Sequence, residues 1–277
     1  MMKKIILILF FITLTSVGIY FANGMKSSPT ITYFPIDYGT GFEVSETSLQ
    51  LDDVMESYNV LWNVHSKTEV PMYLRQDVSL LYKDGMLHGM RSKWRENTDS
   101  ISFSERTSDN KSRKWEAISF HYGEIHSDET INSTQHLSHD ELYVLKENNQ
   151  FEGFHKYNNE SNLISLDKEI KKKLLAHWQD LLFYFHIDMN DYHLVPLTSL
   201  YLYQENPLPN LDQETTNRVM GQLWEGLYKN YIIPYIDTTE TLDSYVPLIL
   251  IDKESETLLV LFEMNGKKEK LIQKIGS

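Results

Sequence analysis

The chain reads as an α+β protein: antiparallel β-meanders packed with about three amphipathic helices, behind an N-terminal hydrophobic export or anchor segment. Three observations predict this. Apolar residues recur at every second position over long runs flanked by Asp-Gly and Asn-Gly turns. Two stretches in the C-terminal half carry apolar stripes at helical spacing. The first residues are a Lys pair followed by an uncharged apolar run.

Met1-Met2-Lys3-Lys4 is a short basic n-region, and Ile5 to Phe21 is apolar apart from Thr13, Thr15, Ser16 and Gly18. Seventeen such residues reach the lower limit for spanning a bilayer. The segment 1–24 therefore predicts export, with the lysines held on the cytoplasmic side. Ala22-Asn23-Gly24 and Ser16-Val17-Gly18 are candidate cleavage sites. Ile19-Tyr20-Phe21 leaves little polar c-region before them, which favours an uncleaved anchor over a cleaved signal peptide. The expected location is extracytoplasmic, either as a single-pass membrane protein with its C-terminal part outside or as a secreted protein.

Residues 25–46 read as an irregular lead-in or edge strand. Thr47-Ser48-Leu49-Gln50 fits a capping box, and Leu51, Val54, Met55, Tyr58, Leu61 and Trp62 follow at helical spacing, predicting a helix over 48–62. From Val70 the period becomes two, and Val78 to Tyr82 runs into the turn Lys83-Asp84-Gly85. Leu87 to Trp94, Ile101 to Arg106 and Trp115 to Ile125 continue the meander. A polar stretch, Ser127 to Ser138, separates it from Glu141 to Leu145. The Asn-rich span Asn148 to Asn162 is the candidate boundary between a β-rich lobe at 25–157 and a second lobe at 158–277, which could equally form one domain.

In the second lobe, Ser165 is the expected cap of a helix whose stripe is Leu166, Ile170, Leu174, Leu175, Trp178, Leu181, Leu182 and Phe185. Asp212 caps a second, carrying Val219, Leu223, Trp224, Leu227, Tyr228 and Tyr231 before Pro234. Strands return at Val246 to Ile251, Thr257 to Phe262 and Lys270 to Ile275, and their continuous apolar runs predict cover on both faces. Each half thus reads as helix then meander, and Val70-Pro71 and Val246-Pro247 open the sheets alike, so an internal duplication is one expectation.

Composition narrows function. Setting aside Lys3 and Lys4 takes the formal charge from −13 to −15, which excludes a nucleic-acid binder and disfavours a basic lipid-binding patch. There are no cysteines, so a lipid-modified N-terminal Cys is excluded, and a bacterial envelope that does without disulfides is implied. No phosphate-cradling loop, G-x-S-x-G or H-E-x-x-H occurs. Ser165-Leu166-Asp167-Lys168 and Ser108-Asp109-Asn110 match two motifs of serine penicillin-recognising enzymes. They stand in reversed order with no K-T-G strand, and Ser165 reads more simply as a cap.

The window 121–155 holds His121, His126, His136, His139 and His155. Imidazoles with nearby carboxylates could take a divalent metal such as zinc, and His126, His136, His139 and Asp140 are the candidate ligands. Exposed histidines on a polar surface are the plainer alternative, and a pH response is a third. Aromatic density from Trp178 to Tyr203 reads as core rather than as sugar-stacking surface. The basic enrichment Arg91 to Lys114 reads as cross-strand pairing with Glu96, Asp99, Glu105 and Asp109. The functional expectation is a non-catalytic binding or regulatory module of the cell envelope, with an envelope protein or wall polymer as partner and no cofactor. The alternative is a wall-directed hydrolase, metal-assisted through the His window.

Overall fold

Within residues 57–68, Tyr58, Val60, Trp62 and Val64 stand at alternate positions, with Leu61 alone off the pattern, and strand pairing on both edges turns that alternation into a buried face. The computed structural model describes residues 34–276 except 55, 149, 156–160 and 237–242. The expected export segment lies outside the described residues. Among them no helix is long and apolar enough to cross a membrane.

Six antiparallel strands form the first sheet: β1 (Phe42–Val54), β2 (Ser57–Lys83), β3 (Met86–Asp109), β4 (Arg113–His126), β5 (Ile131–Glu147) and β6 (Gln150–Phe154). Its order is β1-β2-β4-β5-β6, with β3 on the other side of β2. The sheet folds back on itself. β2 pairs β1 and the end of β3 before Thr68, then β4 and the start of β3 after Met72, with register shifts between. Cross-layer bonds record the closure. Tyr58 Oη receives a bond from Trp115 Nε1 at 3.1 Å, Ser45 Oγ lies 2.7 Å from His136 Nδ1, and His88 Nε2 lies 2.7 Å from Thr107 Oγ1 within β3 itself. Leu49, Tyr58, Val60, Trp62, Val64, Trp115, Ala117 and Leu142 fill the space between the layers.

The outer face of the β4 layer meets the rest of the chain. Helix α1 (Ser161–Tyr184) and helix α2 (Gln213–Leu227) pack with a second antiparallel sheet, ordered β10-β9-β8-β7: β7 (Tyr192–Pro196), β8 (Leu248–Asp252), β9 (Thr257–Met264) and β10 (Lys267–Lys274). A 3-10 segment, Leu197–Tyr203, links β7 towards α2. One core joins them: Leu80, Tyr82, Ile118 and Phe120 of the first sheet with Trp178, Leu181, Leu223, Trp224, Ile249 to Ile251 and Leu258 to Leu261 of the second half. β8 and β9 are buried along their length, as their apolar runs predict. Asp212 caps α2, its Oδ1 accepting from Thr215 N at 2.7 Å.

Several expectations are corrected. Residues 48–54 and 57–62 are strand, not helix, because Tyr58, Val60 and Trp62 face the interlayer core while Leu61 is only half-buried. Leu87 to Arg106 is one strand, bent near Asn97, whose φ is 48°. The polar stretch from Ser127 is mostly β5: Ser133, Thr134 and Ser138 are polar yet buried, with Ser138 bonded across layers and Ser133 to the lead-in segment. Gln150–Phe154 is strand β6. Ser165 is not a cap but an exposed residue inside α1, which has begun by Ser161. Leu175 faces solvent. With no leading helix among the described residues of the first half, these do not repeat the second: Val70-Pro71 lies within β2, Val246-Pro247 before β8.

Candidate functional site

Strand alternation decides where the candidate ligands go. His136 and Asp140 share the inner face of β5, and His139 takes the outer one. His136 Nδ1 bonds Ser45 Oγ, and its Nε2 lies 3.2 Å from Gln204 Nε2. Asp140 accepts from the backbone N of Leu49 at 2.7 Å and of Glu141 at 2.9 Å. His139 stacks on Tyr201, centroids 4.3 Å apart at 2°, with Nε2 3.4 Å from Glu116. His126, at the far end of β4, bonds Glu124 at 3.0 Å. The four are not brought together. Among the described residues no three His, Asp or Glu side chains have metal-holding geometry.

Around His139 the charges close on one another. Lys114 stands 3.3 Å from both Glu116 and Glu141. Burial would raise the Glu116 carboxyl, but bonds from His139 and Lys114 bring it down to about 2. This network joins the sheet to the 3-10 segment and leaves no free base. The expected pairing of the basic residues from Arg91 to Lys114 is met in part: Arg91 pairs with Glu105 at 2.5 Å and Arg113 with Asp109 at 3.1 Å, whereas Arg106 takes Asp52 at 3.1 Å and Arg113 also takes Asp84 at 2.7 Å, neither of them an expected partner.

A cleft of about 350 Å³ opens beside His136. β5 supplies one wall through Thr134, Gln135, His136 and Leu137, with Phe120 of β4 at its base. Tyr203, Gln204 and Glu205 after the 3-10 segment, and Asn217 and Met220 of α2, face them. The lead-in segment Ile36 to Thr40 forms the third side, fixed where Asp37 N donates to Ser133 O and Ser133 N to Pro35 O, each at 2.7 Å.

The walls are tied. Gln204 Oε1 accepts from Leu137 N at 2.6 Å while its Nε2 donates to Leu137 O. Gln135 Nε2 donates to Asn217 O at 2.7 Å, and Gln213 Nε2 to Gln204 O at 3.0 Å. Asp37 holds Gly39 N and Thr40 Oγ1. Gln204 donates towards His136 Nε2, so the ring proton belongs on Nδ1, donated to Ser45. Burial lowers the His136 pKa, opposed by Glu205, and keeps the ring neutral at pH 7. Asp37 and Glu205 line the cleft without any Lys or Arg. Gln135 Oε1 is buried with no partner.

This arrangement offers acceptors and two carboxylates to a small polar guest. Ser45 bonds His136, but there the ring donates its Nδ1 proton to the serine, so the pair is not arranged as a nucleophile with its base, and no metal set stands in the cleft among the described residues. Only His136 of the cleft was flagged by sequence reasoning. Gln135, Gln204 and Asn217 come from three separate elements and carry no motif. Comparison with protein-family models, with curated proteins and with solved structures finds no match.

Proposed function

We propose that this chain is a non-catalytic binding module of the cell envelope, exported by its N-terminal segment, whose occupant seats a neutral or cationic polar group in the cleft beside His136. The observation that supports it most is the cleft itself: acidic, free of Lys and Arg, and walled by side chains that already hold one another in place. Such preorganisation favours binding, since little conformational entropy is lost when a guest enters. The volume is at the low end for ligand sites, which suits one residue of a polymer or one side chain of a partner. A metal-assisted hydrolase has no comparable support, because its candidate ligands are distributed over both faces of mid-β5 and the far end of β4.

The test has two arms. Protease added to intact protoplasts should digest residues 25–277, and full protection would overturn the export reading. Full-length protein should bind isolated envelope material, and Glu205→Arg should weaken that binding about tenfold with an unchanged melting temperature. Equal binding by Glu205→Arg, or turnover of wall material by the purified chain, would overturn the cleft reading.

A further inference from the structure

The bend that folds the first sheet exposes a second, unrelated feature. Tyr73 and Arg75 alternate on one face of β2, with Glu124 of β4 opposite Tyr73 and Trp94 of β3 opposite Arg75. Trp94 is 55% exposed, although a large indole is ordinarily buried on most of its surface. Its ring lies 5.6 Å from that of Tyr73 at 33°. The guanidinium of Arg75 covers Tyr73 at 5.6 Å, bonds Glu124 at 3.0 Å and Asp77 at 2.5 Å. Glu124 bonds His126, whose ring meets the edge of Tyr73 at 6.3 Å. The contacts of Tyr73, Arg75, Glu124 and His126 run in a closed circle that holds the Tyr73 ring, and Trp94 leans on that ring from outside the circle.

We propose that this face is a glycan platform: Trp94, backed by Tyr73, stacks on a pyranose ring of an uncharged polysaccharide strand, and the exposed His126 bonds its hydroxyls. A pyranose ring is amphipathic, with C–H bonds on its faces and hydroxyls around its rim. An exposed indole beside fixed donors and acceptors matches both parts. The local charge selects the occupant. Arg75 is balanced by two carboxylates, so nothing here attracts a polyanion, and the acidic chain as a whole disfavours an anionic bilayer. Arg75 already occupies the Tyr73 face, which leaves no aromatic cage for a quaternary ammonium.

The platform stands apart from the cleft, and its test is separate. Full-length protein in mild detergent would be run through native gels cast with soluble neutral polysaccharides built on glucose or on N-acetylhexosamine, and titrated with an N-acetylglucosamine hexamer. Retardation on at least one polysaccharide is expected. Trp94→Ala should weaken it about tenfold and Trp94→Tyr should largely restore it. Phe183→Ala, which removes an aromatic 80% exposed on α1, should leave it unchanged. No retardation on any neutral polysaccharide would overturn the proposal. So would retention that Trp94→Ala leaves intact, or Trp94-dependent self-association or vesicle binding in place of glycan binding.

Discussion

Buried between the layers, five polar side chains form one directed file. Gln76 Nε2 donates to Ser66 Oγ at 2.7 Å, Ser66 to His121 Nδ1 at 2.7 Å, His121 Nε2 to Ser138 Oγ at 2.6 Å, and Ser138 to Thr47 Oγ1 at 2.6 Å. The amide can only donate from its nitrogen, so the order fixes the ring proton on Nε2. A second proton would have no acceptor, and burial lowers the His121 pKa to about 3. The unfolded chain takes that proton near pH 6.5, so stability is lost as pH falls from there. His121 alone should remove roughly 2–3 kcal/mol between pH 7.5 and 4.5. Burial pushes His88, to about 4, and His177 the same way. His121→Gln can keep both hydrogen bonds without titrating. Urea unfolding should then show the acid slope reduced by about 1.4 kcal/mol per pH unit. An unchanged slope would mean that the folded protein accepts the proton. The His window was visible in the sequence, but its meaning was not: linear density suggests a ligand set, whereas period two sends His136 and His139 to opposite faces.

At the scale of elements, legibility followed locality. The turn at Asp84-Gly85, both helices of the second half and the cap at Asp212 depend on neighbouring residues, and all were readable. The helix expected over 48–62 failed because two periods coexist there. Leu51, Val54, Tyr58 and Leu61 fit a helix, while Tyr58, Val60, Trp62 and Val64 fit a strand. What decides between them is pairing, of 48–54 with the β2 residues that follow and of Tyr58 to Val64 with β3 some 40 to 50 positions away, which apolar spacing does not encode. Helix α1 offers a test of the part that was read. Leu174 packs on the hairpin turn: a Cβ on Gly85, whose φ is +79°, would come within 3.0 Å of the leucine side chain. Leu174→Asp would put a carboxylate into that joint and should cost about 2 kcal/mol or more. Exposed Lys172→Asp should stay within about 0.5 kcal/mol of the parent. Equal melting temperatures for the two would show that the helix does not dock there.

For the whole molecule, the sequence suggested a boundary near the Asn-rich span, and the core runs across it. Val78, Leu80 and Tyr82 of β2 and Ile118 and Phe120 of β4 share one apolar cluster with Trp178, Trp224, Leu250 and Val260. Phe120 stacks on Trp224 at 5.3 Å and 9°. The hairpin turn after β2 is bonded to the strand leading into β8: Leu87 N donates to Ser244 O at 2.7 Å and Val246 N to Gly85 O at 2.9 Å. Trp178 Nε1 closes the same corner on Val246 O at 2.8 Å. Cutting the chain at the Asn-rich span would expose the outer face of β4 and one side of each helix together. Burying such side chains is worth about 1.5–3 kcal/mol each, and a domain keeps only about 5–15 kcal/mol in reserve. Neither piece should survive the loss. Full-length protein should unfold in urea as one transition, coincident by tryptophan fluorescence and far-ultraviolet circular dichroism. Residues 34–157 and 158–277 expressed apart should each lack a cooperative transition, and mixing them should restore it. A cooperative transition in either fragment alone would divide the molecule at the Asn-rich span, and the shared cluster would then be an interface between two domains.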